Sequence, residues 1–225
     1  MGKYCLVIFL FFSLVKSQAQ VNNDSIIDLN YLEDQLYLSL TYTILIDKPA
    51  TISQKGFSGG ISFGFIKDIP LNEQRNLGLG IGAGYAYNVY VQNLKISREN
   101  QTTLFELAED YKTNRLGINS IELPIEFRWR TSTPEKYGFW RVYGGLKFAY
   151  LITAKTKFSD SDVVLTTKNI PELNRLQYGA TLATGYGNWN LYFYYGLSPL
   201  FKDAVFNEKK IDLKDIKIGL KFYIM

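Results

Sequence analysis

The sequence predicts an all-β protein, an eight-stranded antiparallel transmembrane β-barrel of the outer-membrane type that follows an N-terminal signal peptide. Three observations predict this fold: one apolar stretch at the N-terminus, repeated alternation of apolar and polar residues, and an aromatic content of 16%. Alternation with a period of two is typical of a half-buried β-strand, and aromatic residues are enriched where strands meet a lipid–water boundary. The overall mean hydropathy of -0.08 excludes a bundle of transmembrane helices.

The N-terminal residues have the features of a secretory signal peptide. Lys3 precedes an apolar run over residues 4–15, and the small residues Ser17 and Ala19 stand where cleavage is expected. The run is too short for a spanning helix of about 20 residues, although an uncleaved anchor is the alternative. The predicted organisation is a signal peptide over 1–19, a short periplasmic segment over 20–34 and a barrel domain over 35–225.

The residue types that are missing exclude several kinds of chemistry. Histidine is absent, and the single cysteine, Cys5, lies inside the predicted signal peptide. The mature chain therefore lacks disulfides, thiolate metal sites and the most common general base. Outer-membrane lipid A acyltransferases and deacylases depend on a catalytic histidine, so we expect no enzyme, no cofactor and no metal site. The mature net charge of about +2 includes no basic block, and neither nucleic acid nor a small-molecule substrate is an expected partner.

Period-two alternation recurs along the mature chain. In the third segment, four glycines (Gly78, Gly80, Gly82 and Gly84) share one face and large apolar side chains share the other. Glycines in a row make a poor soluble surface, but they leave room inside a narrow barrel. We therefore predict the polar face inside and the apolar face toward outer-membrane lipid, with a soluble sandwich or lipocalin-like barrel as the alternative. The predicted strands are 35–46, 56–67, 76–92, 116–130, 139–155, 175–187, 190–201 and 213–225.

The connections between these strands are of two kinds. Short, turn-rich connections are predicted at 68–75, 131–138 and 187–190. Longer and more polar connections are predicted at 47–55, 93–115, 156–174 and 202–212. This alternation is typical of periplasmic turns and extracellular loops, so both termini are predicted to be periplasmic. Residues 102–112 are predicted to form a helical turn or two in the longest loop.

Charged residues share the predicted inward face of the fourth and fifth strands. They are Glu122, Glu126, Arg128, Arg130, Arg141 and Lys147. A charge inside a narrow barrel needs a partner, so these residues predict an ion-pair network that fills the lumen. A carboxylate pair for acid–base work is the alternative, but no nucleophile stands beside it. Pro124, which has no amide hydrogen, predicts a bulge or a local break in the strand pairing.

Several stretches carry a resemblance to a known family. The strand at 121–124 reads aliphatic-Glu-aliphatic-Pro, which many outer-membrane barrels share. The next stretch is more specific and reads Trp129-Arg130-Thr131-Ser132-Thr133-Pro134, followed by Phe139-Trp140-Arg141. Together with 186–199 and 218–223, these residues resemble the PorT (SprT) family of outer-membrane barrels from Bacteroidetes.

The resemblance implies a role in type IX protein secretion, which is often linked to gliding motility, with other secretion components as partners. It implies no catalytic residue. The sequence therefore favours a non-enzymatic accessory barrel of type IX secretion. A generic small barrel with a structural, adhesive or narrow-pore role is the alternative.

Overall fold

A computed structural model of the chain describes residues 34–99, 102–131, 139–206 and 209–224. The predicted signal peptide and nearly all of the predicted segment 20–34 lie outside the described residues. The strands are β1 (Gln35–Ile46), β2 (Gly59–Pro70), β3 (Leu77–Val91), β4 (Leu94–Glu99), β5 (Thr102–Leu107), β6 (Thr113–Arg130), β7 (Trp140–Ser159), β8 (Val164–Lys168), β9 (Leu176–Tyr186), β10 (Trp189–Gly196), β11 (Val205–Phe206), β12 (Lys209–Lys210) and β13 (Lys214–Ile224).

Eight of these strands close into an antiparallel barrel, which confirms the predicted fold. Around the barrel the order is β6, β3, β2, β1, β13, β10, β9 and β7, and β7 pairs with β6 to complete the circle. All of these pairings are antiparallel. Closure gives most backbone groups of these strands partners on both sides, as a membrane-spanning sheet requires.

The two ends of the barrel differ, as the connection lengths predict. Short turns follow β2, β6 and β9 at one end, here called the turn end, where β1 also begins and β13 also finishes. The opposite end, here called the loop end, carries three additional short pairings: β4 with β5, β7 with β8, and β11 with β12. No helix among the described residues has the length and apolarity needed to cross a bilayer.

The outer wall of the barrel is apolar. Large exposed side chains on this wall include Leu36, Leu40, Ile61, Phe63, Phe65, Ile81, Ile121, Leu123, Phe127, Leu146, Leu182, Leu191 and Ile218. All three tryptophans of the chain, Trp129, Trp140 and Trp189, are exposed at the turn end, where Trp140 packs edge-on against Tyr186. Exposed tyrosines, among them Tyr42 and Tyr195, lie toward the loop end. Two aromatic girdles that bracket an apolar belt are typical of outer-membrane barrels.

The glycines of β3 make room for large inward side chains. A Cβ atom on Gly80 would collide with the Arg128 guanidinium, and one on Gly84 would collide with the Tyr37 hydroxyl. At Gly82 the obstacles are the Ile66 side chain, 2.6 Å away, and the carbonyl oxygen of Phe65. The glycine face of β3 therefore points into the lumen, and its lack of side chains lets neighbouring strands fill that space.

The long connections pack into a hydrophobic core at the loop end. Its buried residues are Leu45, Ile52, Tyr90, Leu94, Ile96, Leu116, Ile118, Ile170, Leu173, Leu200, Phe201, Ala204, Ile211 and Leu213. The prediction of helical turns within 102–112 is wrong, because Thr102–Leu107 is the strand β5 and pairs with Leu94–Glu99. The β-branched and aromatic residues of this segment suit a strand, and pairing lets Phe105 pack edge-on against Phe201.

Several predicted strand boundaries also shift. β2 continues to Pro70, so Asp68 is an inward strand residue and not part of a turn, while β10 ends at Gly196 instead of residue 201. Near Pro124 the register between β3 and β6 does not change, but pairing is interrupted between Ile81–Ile125 and Gly84–Glu122. Pro124 therefore coincides with a local break, and the bulge lies elsewhere, where the β6–β7 register shifts at Asn119 and Ser120.

Candidate functional site

The charged residues that the sequence places on the inward face all lie buried inside the barrel. Glu122, Glu126, Arg128, Arg130, Arg141 and Lys147 are each at most 6% exposed. Four further charged residues are buried with them, namely Asp68 on β2 and Asp215, Lys217 and Lys221 on β13. Side-chain alternation explains this arrangement, because each residue occupies the inward parity of its strand.

Two arginines converge on one carboxylate near the turn end. Asp68 accepts hydrogen bonds from Nη1 of Arg128 at 3.1 Å and from Nη2 of Arg130 at 2.6 Å. Nε of Arg130 also donates to the carbonyl oxygen of Arg75 at 2.7 Å, which ties the strand to the β2–β3 turn. The amide of Asp68 donates to the Asp34 carboxylate at 3.0 Å. The entry of the chain into β1 is therefore joined to this arginine pair.

Glu126 is the centre of the next layer. Its carboxylate accepts hydrogen bonds from Nζ of Lys221 at 2.7 Å, from the hydroxyl of Tyr223 at 3.1 Å and from Arg128 at 3.1 Å. Charge-assisted hydrogen bonds of this kind are shorter and stronger than neutral ones. Because Arg128 bonds to both Asp68 and Glu126, it joins this layer to the one at the turn end.

A third layer lies closer to the loop end. Nζ of Lys147 donates to Glu122 at 2.7 Å. Nζ of Lys217 lies 3.3 Å from Asp215 and donates to Asn88 at 2.9 Å. The Tyr90 hydroxyl also donates to Asp215, at 2.8 Å. Since Tyr90 belongs to the loop-end core, the charged lumen is continuous with the packed loops above it.

Tyrosines occupy the space between the charged layers. Nζ of Lys221 lies 4.6 Å from the ring centre of Tyr37, and Nζ of Lys147 lies 4.7 Å from that of Tyr194. The Arg128 guanidinium stands 4.8 Å from the ring centre of Tyr143. A cation held over an aromatic face is attracted by the ring quadrupole, and the attraction is larger where water is excluded. These rings therefore fill the lumen and also stabilise its cations.

Arg141 differs from the other five predicted residues. It is fully buried, yet no acceptor among the described residues bonds to any of its three guanidinium nitrogens. Its guanidinium instead stacks 4.3 Å from the ring centre of Phe139, which is itself buried. Arg141 is also paired in register with Arg130 across β6 and β7.

The structure describes residues 129–131 of the turn that carries the family resemblance. Trp129 points outward into the turn-end aromatic girdle, Arg130 points inward to Asp68, and the Thr131 hydroxyl accepts the amide of Trp140 at 3.1 Å. Ser132, Thr133 and Pro134 lie outside the described residues.

Sequence reasoning missed several members of the lumen network. The sequence places Asp68 in a turn. In a sequence, an inward tyrosine resembles an ordinary apolar residue, so Tyr37, Tyr192 and Tyr223 are not predicted as members of the lumen network. Lys217 and Lys221 lie on the inward face of β13, but the sequence alone does not connect them with Glu126. The alternation of side chains along each strand could identify these residues as inward, provided that the end of β2 is placed correctly.

The arrangement offers little for catalysis or ligation. Every carboxylate of the network is bonded to a cation, so none is free to act as a base. Within the described ranges, no group of three or more acidic, histidine or cysteine side chains could hold a metal ion. The lumen is therefore filled by charged side chains that are bonded to one another.

A comparison with protein families agrees with this architecture. The family model described as "Outer membrane protein beta-barrel domain" matches residues 18–202 of the chain. Among solved structures, the chain is similar to Ail, the attachment invasion locus protein of Yersinia pestis, with 13% identity and a TM-score of 0.40 over 84% of this chain and 96% of Ail. A second Ail structure, in complex with the heparin analogue sucrose octasulfate, gives 14% identity and a TM-score of 0.36 over 85% and 97%. No curated protein matches the sequence.

Proposed function

Because the chain belongs to the outer-membrane protein β-barrel domain family, we propose that it is a non-enzymatic barrel that acts through protein contacts as an accessory component of type IX secretion. Its place in the outer membrane follows from the family, whereas the secretion role is our proposal. The observation that carries this role is the stretch Trp129 to Pro134 with its flanking strands, which resembles the PorT (SprT) family of Bacteroidetes.

The closed lumen supports a function on the surface of the barrel. Three charged layers and their tyrosines fill the interior from Arg130 to Asp215, and packed loops cover the loop end. An eight-stranded barrel has an interior that side chains just fill, so neither solute passage nor an internal active site fits this lumen. The surfaces that remain for contacts with other proteins are the turns, the loops and the lipid-facing wall.

The proposed orientation puts the turn end, both termini and the turn after β6 in the periplasm. Short turns on that side and long loops outside are the usual arrangement of bacterial outer-membrane barrels. In this orientation the family-like turn faces the compartment from which type IX cargo departs. Other components of the secretion system are the proposed partners, and a contribution to gliding motility follows from the same role.

A deletion strain tests the proposal. Without the gene, proteins that carry the secretion signal should accumulate in the periplasm, and the wild-type gene supplied in trans should restore secretion. A chain in which 131–134 is replaced by a glycine-serine sequence should insert and fold but fail to restore secretion. The matched control replaces residues 72–75 of the β2–β3 turn and should restore it. Normal secretion in the deletion strain would overturn the proposal.

A structural or adhesive role in the loops is the second candidate. The observation that favours it is the packed core at the loop end, which holds the β4–β5 and β11–β12 hairpins in fixed positions. A defined loop surface of this kind suits binding. On this alternative, the deletion strain keeps its secretome but changes its surface binding or its envelope integrity.

A further inference from the structure

The barrel wall has a gap near the loop end. On one edge of β7, pairing with β9 stops at Tyr150–Leu176, and pairing with β8 starts at Lys155–Lys168. On this edge of β7, residues 151–154 pair with no strand that the structure describes, apart from one bond from the Leu151 amide to the carbonyl oxygen of Arg175 at 2.8 Å. We call this opening the β7 gap. A cavity of about 340 Å³ occupies it.

The β-bulge of the barrel coincides with the β7 gap. Ser120 pairs with Leu151 and Asn119 pairs with Thr153, so Ile152 is the extra residue on β7. As a result, Ile152 and Thr153 are both exposed on the outer wall, although they are neighbours in sequence. Bulges are enriched at sheet positions that redirect side chains toward a site.

The cavity combines cationic and apolar linings. Arg98 and Arg175 are among its lining residues, and Nη1 of Arg98 donates to the carbonyl oxygen of Asn169 at 2.9 Å. Tyr150 and Ile152 contribute apolar surface that is continuous with the outer belt of the barrel and about half exposed. None of the described residues that line the cavity is acidic. Both the charge and the polarity of this cavity therefore match an amphipathic anion.

More cations flank the β7 gap in register. Lys155 stands directly opposite Lys168, and Arg115 stands directly opposite Lys157, on the outward face of β6, β7 and β8. Like charges placed directly opposite each other destabilise a sheet. Within the described residues, none of these four side chains forms a salt bridge, unlike nearby Lys95, which pairs with Glu106. The arrangement therefore favours a bound anion that separates the cations.

The level of the β7 gap on the wall indicates the source of that anion. Ile152 ends the apolar belt on β7, and Lys155 follows three residues later, about 10 Å farther along the strand. Lipid headgroups lie in this zone, just outside the hydrocarbon core. Long cationic side chains at the end of a membrane-spanning segment extend to reach such headgroups.

We propose that the β7 gap binds the phosphate-bearing headgroup of a membrane lipid with a net negative charge, from the leaflet around the loop end. Arg98 and Arg175 bind the phosphate, because a planar guanidinium can donate two parallel hydrogen bonds to phosphate oxygens. Lys155 and Lys168 neutralise the charge at the rim. An acyl chain of the same lipid lies against Ile152 and Tyr150. This site does not depend on the secretion role.

Lipid titration of the purified full chain in zwitterionic detergent tests the site. The probe is short-chain phosphatidylglycerol, and native mass spectrometry measures its retention. We expect one tightly retained lipid, and binding about thirtyfold weaker in the double variant Arg175→Gln, Lys155→Gln, since each cation near a membrane surface contributes a factor of about five to six. Heat-dependent gel migration verifies that each variant is folded.

Two comparisons make the result decisive. Lys67→Gln removes an outward cation near the turn end and should leave phosphatidylglycerol binding unchanged. Phosphatidylcholine and inorganic phosphate should both bind at least tenfold more weakly than phosphatidylglycerol. Equal binding of phosphatidylcholine, equal binding of free phosphate, or a double variant that retains phosphatidylglycerol as well as the wild type would each overturn the proposal.

Discussion

Glu126 and Lys221 stand on opposite walls of the barrel, and their charged atoms lie 2.7 Å apart. Glu126 belongs to β6 and Lys221 belongs to β13, which are four strands apart in a circle of eight in either direction. A single ion pair therefore spans the full width of the lumen. Any solute that moved along the barrel axis would have to break this ion pair, which is why we describe the lumen as closed.

The substitution Glu126→Gln should destabilise the barrel strongly. It removes the charge that Lys221 and Arg128 share, so that Lys221 loses its acidic partner among the described residues and Arg128 keeps only Asp68. Loss of one partner from a buried ion pair costs about 3–5 kcal/mol. Urea unfolding of the protein in lipid vesicles, followed by tryptophan fluorescence, measures the change in the free energy of unfolding.

Glu106→Gln is the matched control for that measurement. Glu106 pairs with Lys95 at 2.9 Å, but its side chain is half exposed at the loop end. Exposed ion pairs contribute at most about 1 kcal/mol. If the two glutamine variants lost the same stability, the buried network would not stabilise the barrel.

Gly84→Ala should also destabilise the barrel, through steric overlap in the lumen. The added methyl group would overlap the Tyr37 hydroxyl and the carbonyl oxygen of Phe63. Overpacking of this kind costs about 1–3 kcal/mol. At Gly144 on the outer wall, the nearest atom to an added Cβ is 3.9 Å away, so Gly144→Ala should be neutral or slightly stabilising. Thermal unfolding of both variants would show this contrast, and equal midpoints would refute the inward assignment of the β3 glycines.

Arg141 and Arg128 should respond differently to replacement by methionine. Arg128 is bonded to Asp68 and Glu126, so Arg128→Met leaves two carboxylates with fewer partners and should cost about 3–5 kcal/mol. The Arg141 guanidinium makes no hydrogen bond within the described residues and contacts the Phe139 ring, so Arg141→Met should be nearly neutral or stabilising. Denaturant midpoints of the two variants distinguish these outcomes. A larger loss at Arg141 would reveal a strong interaction that the described contacts do not include.

The turn between β7 and β8 should loosen in acid. The Asp160 carboxylate accepts the amides of Asp162 at 2.9 Å and Val163 at 2.8 Å, and these bonds hold the pKa of Asp160 below its usual range. A lowered pKa in the folded state means that the stabilisation is present at neutral pH and is lost as the pH falls below about 4. Hydrogen-exchange protection of the Val163 amide should decline over that range. The decline should be absent in Asp160→Asn, and an identical pH profile in that variant would contradict the assignment.

Much of the barrel could be predicted from alternation alone. A strand with one face in lipid and the other in a narrow lumen must alternate strictly, so Glu122, Glu126, Arg128 and Arg130 reveal the inward face of β6 directly. The row of glycines in β3 is equally informative, because only a crowded interior explains glycine at four alternate positions on one face of a strand. These signals are local and depend on the period of a single strand.

The loop-end core could not be predicted in the same way. Leu94, Ile170 and Ile211 come from three separate connections, and nothing in their local sequence indicates that they meet. The pairing of β4 with β5 depends on the same long-range packing, which favours a strand at Thr102–Leu107 over the predicted helical turns. Asp68 was missed for a related reason, since the end of β2 is set by its pairing with β3 and not by its own turn-forming residues.

Electrical recording in planar lipid bilayers tests the closed lumen most directly. The purified full chain, inserted into the bilayer at neutral pH, should produce no current steps above the baseline, because Glu126, Lys221 and the tyrosines around them fill the lumen. Stable ohmic current steps from the folded wild-type protein would contradict the account and would favour a narrow pore.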